Sequence, residues 1–366
     1  MRRALHATAF VVSVALVVGC GARAHFDTPL PDDGAFSRGE GTAEELARYR
    51  LAAAYSAQRG GLSVLVLRGD EVVFEEQQNG NRPETPHHLF SGTKSFSCAI
   101  ATAAVEDGLL TLDERVVDTI PELAADERKA RITVRELLDF TSGLEQSFWR
   151  FTVDGLREHQ RVADKYGAAV GLSVTDEPGS RFVYGSSHLM LFGELMRRKL
   201  HGDPLAYLER RVLAPLGLRT AGWIRDPAGN PMLPYGAFTT AREWARYGVL
   251  LRDGGRFHGK QLLPEAGLAE CRRGSTAMPA YGLTLWLNAM VQAGLNEEFT
   301  KAVSLGGPRG YLYEDGPADL FAAAGHEDNR LYVVPSRGLV AVRLGSGDRS
   351  WRDAAFLARL LDGKAL

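Results

Sequence analysis

Cysteine is scarce: three residues in a chain of 366, at positions 20, 98 and 271. No Cys-x-x-Cys spacing occurs, so structural zinc has no support. Charge of one sign is scarce as well. Lys and Arg number 43 and Asp and Glu 45, for a formal net charge of -2, and no long run of either sign occurs. Binding to nucleic acid needs a basic surface, so it has no support. What the chain does have is 45% hydrophobic and 24% charged residues, the balance of a folded globular protein with a substantial core. Internal repeats and low-complexity tracts are absent.

Long apolar runs are missing too. The stretch Ala7 to Val18, interrupted by Thr8 and Ser13, is short of the about 20 residues that a membrane-spanning helix needs. Behind the basic start Met1-Arg2-Arg3 it reads as an export segment. Two exits from it are open. Val17-Val18-Gly19-Cys20 resembles a bacterial lipobox, in which Cys20 becomes the lipid-modified first residue. Ala22-Arg23-Ala24 offers the small residues that an ordinary signal peptidase prefers. Cys20 sits directly at the end of the apolar run, which favours the lipobox. The expectation is a signal segment over 1–20, a Pro-, Gly- and Asp-rich tether over 21–41, and one folded domain over 42–366. Acyl chains on Cys20 would hold that domain at a membrane of the bacterial envelope; otherwise it is periplasmic or secreted. Cys98 and Cys271 could pair in an oxidising envelope, but their spacing does not place them within bonding distance. The favoured reading is two buried free thiols, with Cys98 able to share the face of Lys94.

Local patterns set out the elements. Thr42 with Glu45 forms a capping box that opens a helix running to Gln58. Gly61 to Gln77 reads as a hairpin turning at Arg68-Gly69-Asp70. Ser91 to Asp107 has helical character and stops at Gly108. From about 110 to 275 the signals are mostly helical, broken by Pro and Gly turns. Strand-like composition returns at Tyr281–Asn288, Leu331–Pro335 and Leu339–Leu344, and Trp351–Leu361 closes as an amphipathic helix. The expected fold is α/β (α+β): an antiparallel sheet from N- and C-terminal segments, flanked by helices, with a helical insertion roughly over 110–275.

The chemistry centres on Ser91-Gly92-Thr93-Lys94. A serine hydroxyl is a weak nucleophile until a base takes its proton. Residues three apart on a helix share a face, so Lys94 can reach the Ser91 hydroxyl. A helix start adds N–H groups and partial positive charge at the reacting centre. For lysine to act as base it must be neutral, so burial or nearby positive charge has to lower its pKa.

The stretch Leu89-Phe90-Ser91-Gly92-Thr93-Lys94-Ser95-Phe96 resembles the active-site segment of the serine β-lactamase and penicillin-recognising family, closest to class C β-lactamases, DD-peptidases and family VIII esterases. Resemblance continues through Ile132 to Leu138, Thr141-Ser142-Gly143-Leu144, Pro178 to Tyr184 and Ala214 to Leu218, and covers about residues 60 to 345. It implies a β-lactamase/transpeptidase-like fold, with Tyr184 beside the nucleophile sharing proton transfer with Lys94. Ser186 stands where the family's second motif carries asparagine; it is shorter and lacks the amide's paired donor and acceptor. The third motif, a Lys-Thr-Gly or His-x-Gly on a strand beside the nucleophile, is placed at His326-Glu327-Asp328. Asn329 then supplies the second oxyanion N–H beside that of Ser91. Glu327 and Asp328 would repel a substrate carboxylate, which favours neutral esters or small amides over penicillins and D-alanyl peptides.

Other motifs lead elsewhere. His326-Glu327 lacks the second histidine of a zinc protease, and no Gly-x-Ser-x-Gly elbow occurs. Gly254 to Lys260 has phosphate-loop spacing, but Gln261 stands where Ser or Thr is needed, so it reads as a surface turn. His87-His88 reads as a solvated pair. Arg135, Arg246 and Arg330 read as ion-pair anchors, and Trp149, Tyr235 and Tyr281 as pocket walls. Together these observations predict a serine hydrolase that passes through an acyl-enzyme on a small ester, amide or lactam, with no cofactor and no metal. The alternative is a catalytically inactive, penicillin-binding-like envelope protein.

Overall fold

The computed structural model describes residues 26–146, 162–291 and 312–366. Trp149 and Cys20 lie outside them.

A short strand β1 (Ser37–Arg38) precedes helix α1 (Ala43–Ala57), which opens on the expected Thr42/Glu45 capping box. Strands β2 (Gly61–Arg68) and β3 (Glu71–Gln77) pair antiparallel. Their turn is possible because Gly69 adopts φ +58°, a region that costs other residues strain. Next come β4 (His87–His88), helix α2 (Phe96–Glu106) and helix α3 (Ser187–Leu200). Strands β5 (Gly222–Trp223) and β6 (Ala237–Thr239) follow, then helix α4 (Ala241–Arg252). The hairpin β7 (Arg256–Phe257) and β8 (Lys260–Gln261) leads to helix α5 (Glu265–Cys271). The C-terminal part adds β9 (Trp286–Leu287), β10 (Phe321–Ala324), β11 (Arg330–Val334), β12 (Leu339–Gly345) and helix α6 (Asp353–Asp362).

The main sheet has seven strands in the order β1-β3-β2-β12-β11-β10-β9, so segments from both ends of the chain meet at β2 and β12. Successive side chains on a strand point to opposite faces. Val64 to Leu67 and Leu339 to Leu344 are buried at every position, which means that helices cover both faces. Helix α4 approaches β11 and β12 closely at Gly248, where a Cβ would fall 2.6 Å from Val340 and 2.7 Å from Leu331. Strands β4, β6 and β5 form a small separate sheet beside the nucleophile segment.

Several expectations need correction. The sheet is mixed, because β1 pairs parallel to β3. Residues 26–41 are packed on the body rather than strung out as a tether: Phe26 lies against Phe238, Phe36 is buried, and Asp32 and Asp33 pair with Arg242 and Arg246. Cys98 and Cys271 are joined as a buried disulfide linking α2 to α5, so they are not free thiols. The region 281–288 gives only the two-residue β9, and the strand β10 carries no turn signal or β-branched residue that would have revealed it. His87 and His88 are half-buried and bonded, to Asn81 and to the Tyr235 carbonyl. Gly254 to Lys260 forms the turn region of the β7–β8 hairpin. Arg135 pairs with Asp113 and Glu270, Arg246 with Asp33 and Glu243, and Arg330 with Asp353.

Candidate active site

The helix expected from Ser91 is tighter at its start. Residues Phe90–Ser95 form a 3₁₀ turn, and α2 follows from Phe96. Three residues make one 3₁₀ turn, so Ser91 and Lys94 are stacked one above the other. Lys94 Nζ lies 3.0 Å from Ser91 Oγ and 3.0 Å from the Pro234 carbonyl oxygen. The side chain is buried, and burial alone lowers its pKa from the usual lysine value to about 7. An amine with that pKa is substantially neutral near pH 7. Nζ donates to the Pro234 carbonyl and to Ser91 Oγ; to take the seryl proton the neutral amine turns its lone pair to that same oxygen.

Tyr184 hydrogen-bonds to Ser91 through its hydroxyl, and its ring lies 5.2 Å from Lys94 Nζ. Burial pushes its pKa up to about 12; the bond to Ser91 and the charge of Arg330 oppose that rise. Aromatic neighbours fix the ring. Trp286 stacks on it at 5.3 Å, Phe140 meets it at 5.6 Å and Tyr281 stands edge-on at 6.2 Å. Sequence reasoning found Tyr281 as a wall but missed Trp286. Behind Tyr184, His188 bonds to Ser142 and to the Val183 carbonyl and stacks on Phe140 at 4.8 Å. Burial, with the nearby Lys94 charge, holds the imidazole pKa down to about 4, so the ring is neutral. Ser186 is buried at the head of α3 and makes no side-chain capping bond. Tyr235 is half-buried in the loop that supplies the Pro234 carbonyl.

His326–Asp328, expected on a strand, form a tight turn between β10 and β11. The Asn329 N–H points to the His326 carbonyl at 3.4 Å, within the turn. Its side chain bonds to His326 and His88 and accepts from Gly345. Asn329 is therefore a turn clamp and not a free donor. Asp328 is turned inward, accepting from the Asp348 N–H at 2.9 Å beside Arg330, so its carboxylate is already engaged. His326 is exposed and touches the Phe90 ring edge-on at 5.3 Å.

The strand that reaches the nucleophile is β10. At its end, a Cβ on Gly325 would fall 2.0 Å from the Leu89 carbonyl and 3.0 Å from the Gly92 nitrogen, so only glycine allows this approach. The Gly325 N–H donates to Asn329 across the β10–β11 pair. N–H directions alternate along a strand, so Ala324 directs its N–H to the opposite edge. Strand β9 pairs only with Phe321 and Ala322, so among the described residues no strand pairs with that edge at Ala324. A run of alanines carries no polar signal, and the resemblance to the family's third motif points to the His326 turn instead. Among the described residues no group of three or more His, Cys, Asp or Glu is placed to hold a metal ion.

A helix-covered mixed sheet with a serine, a buried amine and a phenol gathered at one of its strands defines a β-lactamase/transpeptidase-fold protein. Residues 43–364 match the Beta-lactamase family model, and the chain belongs to that family. Over 184 residues it is 33% identical to a monacolin J acid methylbutanoyltransferase of Aspergillus terreus, a match covering 43% of this chain and 44% of that one. It is 25% identical to a 6-aminohexanoate-dimer hydrolase of Paenarthrobacter ureafaciens, covering 60% and 59% respectively. The chain thus spans less than two thirds of the length of these relatives. Among solved structures, EstCE1, a hydrolase with promiscuous acyltransferase activity, superposes with a TM-score of 0.64 at 17% identity, covering 87% of this chain and 98% of that one. That likeness concerns the fold.

Proposed function

We propose that the protein is a serine hydrolase that works through an acyl-enzyme. The observation that carries this reading is the Lys94 amine, 3.0 Å from Ser91 Oγ, with its pKa lowered by burial to about 7. Ser91 Oγ bonds to the substrate carbonyl carbon while its proton passes to Lys94 Nζ. Tyr184, bonded to the same oxygen, relays that proton to the departing alkoxide or amide nitrogen. The carbonyl oxygen becomes an oxyanion between the N–H of Ser91 and a backbone N–H on the edge of Ala324–His326 that faces away from β11. Water then adds to the acyl carbon, giving its proton back through the same groups, and Ser91 is released. An alcohol in place of water gives acyl transfer, as the names of the acyltransferase relatives suggest.

Neutral esters and small amides are the preferred substrates. The strand beside Ser91 reads Phe321-Ala322-Ala323-Ala324-Gly325 and offers no cation or hydroxyl to a substrate carboxylate. Asp328 does not supply the expected repulsion, because its carboxylate is engaged by the Asp348 N–H. The buried Cys98–Cys271 disulfide supports an exported protein, since such bonds persist in oxidising compartments. Lipidation at Cys20, with the folded part held at the envelope membrane, is part of the same proposal.

Intact-mass measurement after a fluorophosphonate, with Ser91→Ala as control, tests the reading. A stable adduct on the parent protein alone is the expected result. Equal labelling of both proteins, or no labelling by any acylating probe, rejects it in favour of a binding role.

A further inference from the structure

The residue immediately before the nucleophile adopts a conformation that its side chain disfavours. Phe90 has φ +48°, a left-handed region that glycine enters freely and a bulky residue enters under strain. Such outliers persist where the surroundings hold them, and they concentrate at functional sites. Here the surroundings are aromatic. The Phe90 ring lies 3.9 Å from the His88 ring, and His88 stacks on Phe238 at 4.4 Å, with planes 3° apart. Phe26 continues the row against Phe238 at 4.7 Å. On its other side Phe90 meets the exposed His326 edge-on.

Hydrogen bonds fix this row in place. His88 bonds to the Tyr235 carbonyl, its own carbonyl accepts from Asn329, and Leu89 donates to Ala237 at 2.9 Å. Burial lowers the His88 pKa, so its ring stays neutral and behaves as an aromatic surface. Phe26, His88, Phe90 and Phe238 are each half-buried and so keep part of their surface open. The alanines of β10 come up beside the same turn and add little bulk there. A half-open aromatic row thus starts one residue from Ser91 and runs away from it.

We propose that Phe90, backed by His88 and Phe238 and flanked by His326, is a specificity-determining wall that binds an aryl or branched-alkyl group of a neutral ester or amide. The proposal rests on the serine hydrolase reading and adds the substrate class to it. The apolar group sits on either side of the reacting carbonyl, as acyl group or as alcohol, and the test separates the two. At this φ only glycine escapes the strain, and a bulky ring kept there, one residue from the nucleophile and partly open, is explained by contact with substrate.

The test uses two substrate series. The first varies the acyl group at constant leaving group, comparing p-nitrophenyl acetate with p-nitrophenyl 3-phenylpropionate. The second varies the alcohol at constant acyl group, comparing ethyl acetate with 2-phenylethyl acetate. For the parent, kcat/KM favours the larger ester in one series. Phe90→Gly should lower that preference by about 10-fold or more, the scale on which apolar pockets discriminate, chiefly through KM. Because glycine suits the φ of this site, its melting temperature should hold or rise, whereas Phe90→Ala loses the same preference while retaining the strain. Fluorophosphonate labelling of Ser91 is followed in every variant. Labelling with an unchanged preference, or an equal fall for all esters, overturns the subsite alone. A parent that neither labels nor turns over any ester overturns the catalytic reading and the subsite with it.

Discussion

At the scale of single residues, Lys94 carries two consequences with opposite sign. As the base it must be unprotonated, so the rate of Ser91 acylation should rise through pH 7, its lowered pKa, and level off above. A rate flat between pH 5 and 9, read by stopped-flow with a chromogenic ester, would remove Lys94 from that role. For stability the lowered pKa is a burden. Between about 7 and the unfolded value of 10.5, the unfolded chain binds a proton that the folded chain does not. Stability therefore falls as pH drops through this window and stays low below it. Lys94→Met keeps the length of the side chain and removes the buried amine. It should abolish acylation and raise stability at pH 7 by at least about 1 kcal/mol, a gain in Tm of about 2 °C. A Tm lower than that of the parent would show that the bond to Pro234 outweighs desolvation.

At the scale of elements, the buried disulfide joins the two halves of the site. Cys98 sits on α2, one turn beyond Lys94, while Cys271 ends α5 and accepts at its carbonyl from Leu283, next to the loop that carries Tyr281 and Trp286. Reduction, or the double substitution Cys98→Ala with Cys271→Ala, should cost about 2–5 kcal/mol, the range for a long closed loop. Calorimetry with and without reductant measures the loss, and no change in Tm would show that the link is dispensable. How far this was legible in the sequence depends on the range of the signal. Periodic, local patterns were readable: the Thr42 capping box, the Gly61–Gln77 hairpin, α6, and the Ser91/Lys94 pair three residues apart. The disulfide was not, because the cysteines are 173 residues apart and only the packed fold brings them together. Strand β10 was missed because alanines mark neither strand nor chemistry. The resemblance to the third motif falls on the polar turn after β10, whose Asp328 and Asn329 are engaged in holding the hairpin.

At the scale of the whole molecule, the segment over 26–41 acts as a strap over α4 and the small sheet. Asp32 meets Arg242 at 2.5 Å, Asp33 pairs with Arg246, and Phe36 buries its ring edge-on to Phe257 at 6.3 Å. Phe26 ends on Phe238, so the strap also supports the row of rings that leads to Phe90. Arg246 is buried, and among the described residues its other ion-pair partner is Glu243, at 3.2 Å. Breaking a buried ion pair costs up to about 5 kcal/mol. The Asp33 side chain is 40% exposed, so Asp33→Asn should cost closer to about 1 kcal/mol. Burial tends to raise the Asp33 pKa, but Arg246 and the Ala35 N–H more than offset this, and the folded value lies below the usual 3.8. Its contribution is therefore complete above pH 4 and disappears as pH falls through the lowered value. Thermal melts of parent and Asp33→Asn should differ at pH 7 in low salt and converge both at pH 2 and in 1 M salt, about the concentration that screens exposed charges within 3 Å. Identical melts at pH 7 in low salt would mean that the strap lies on the body without holding to it, and the support it gives to Phe238 and Phe90 would have to come from packing at Phe26 and Phe36 alone.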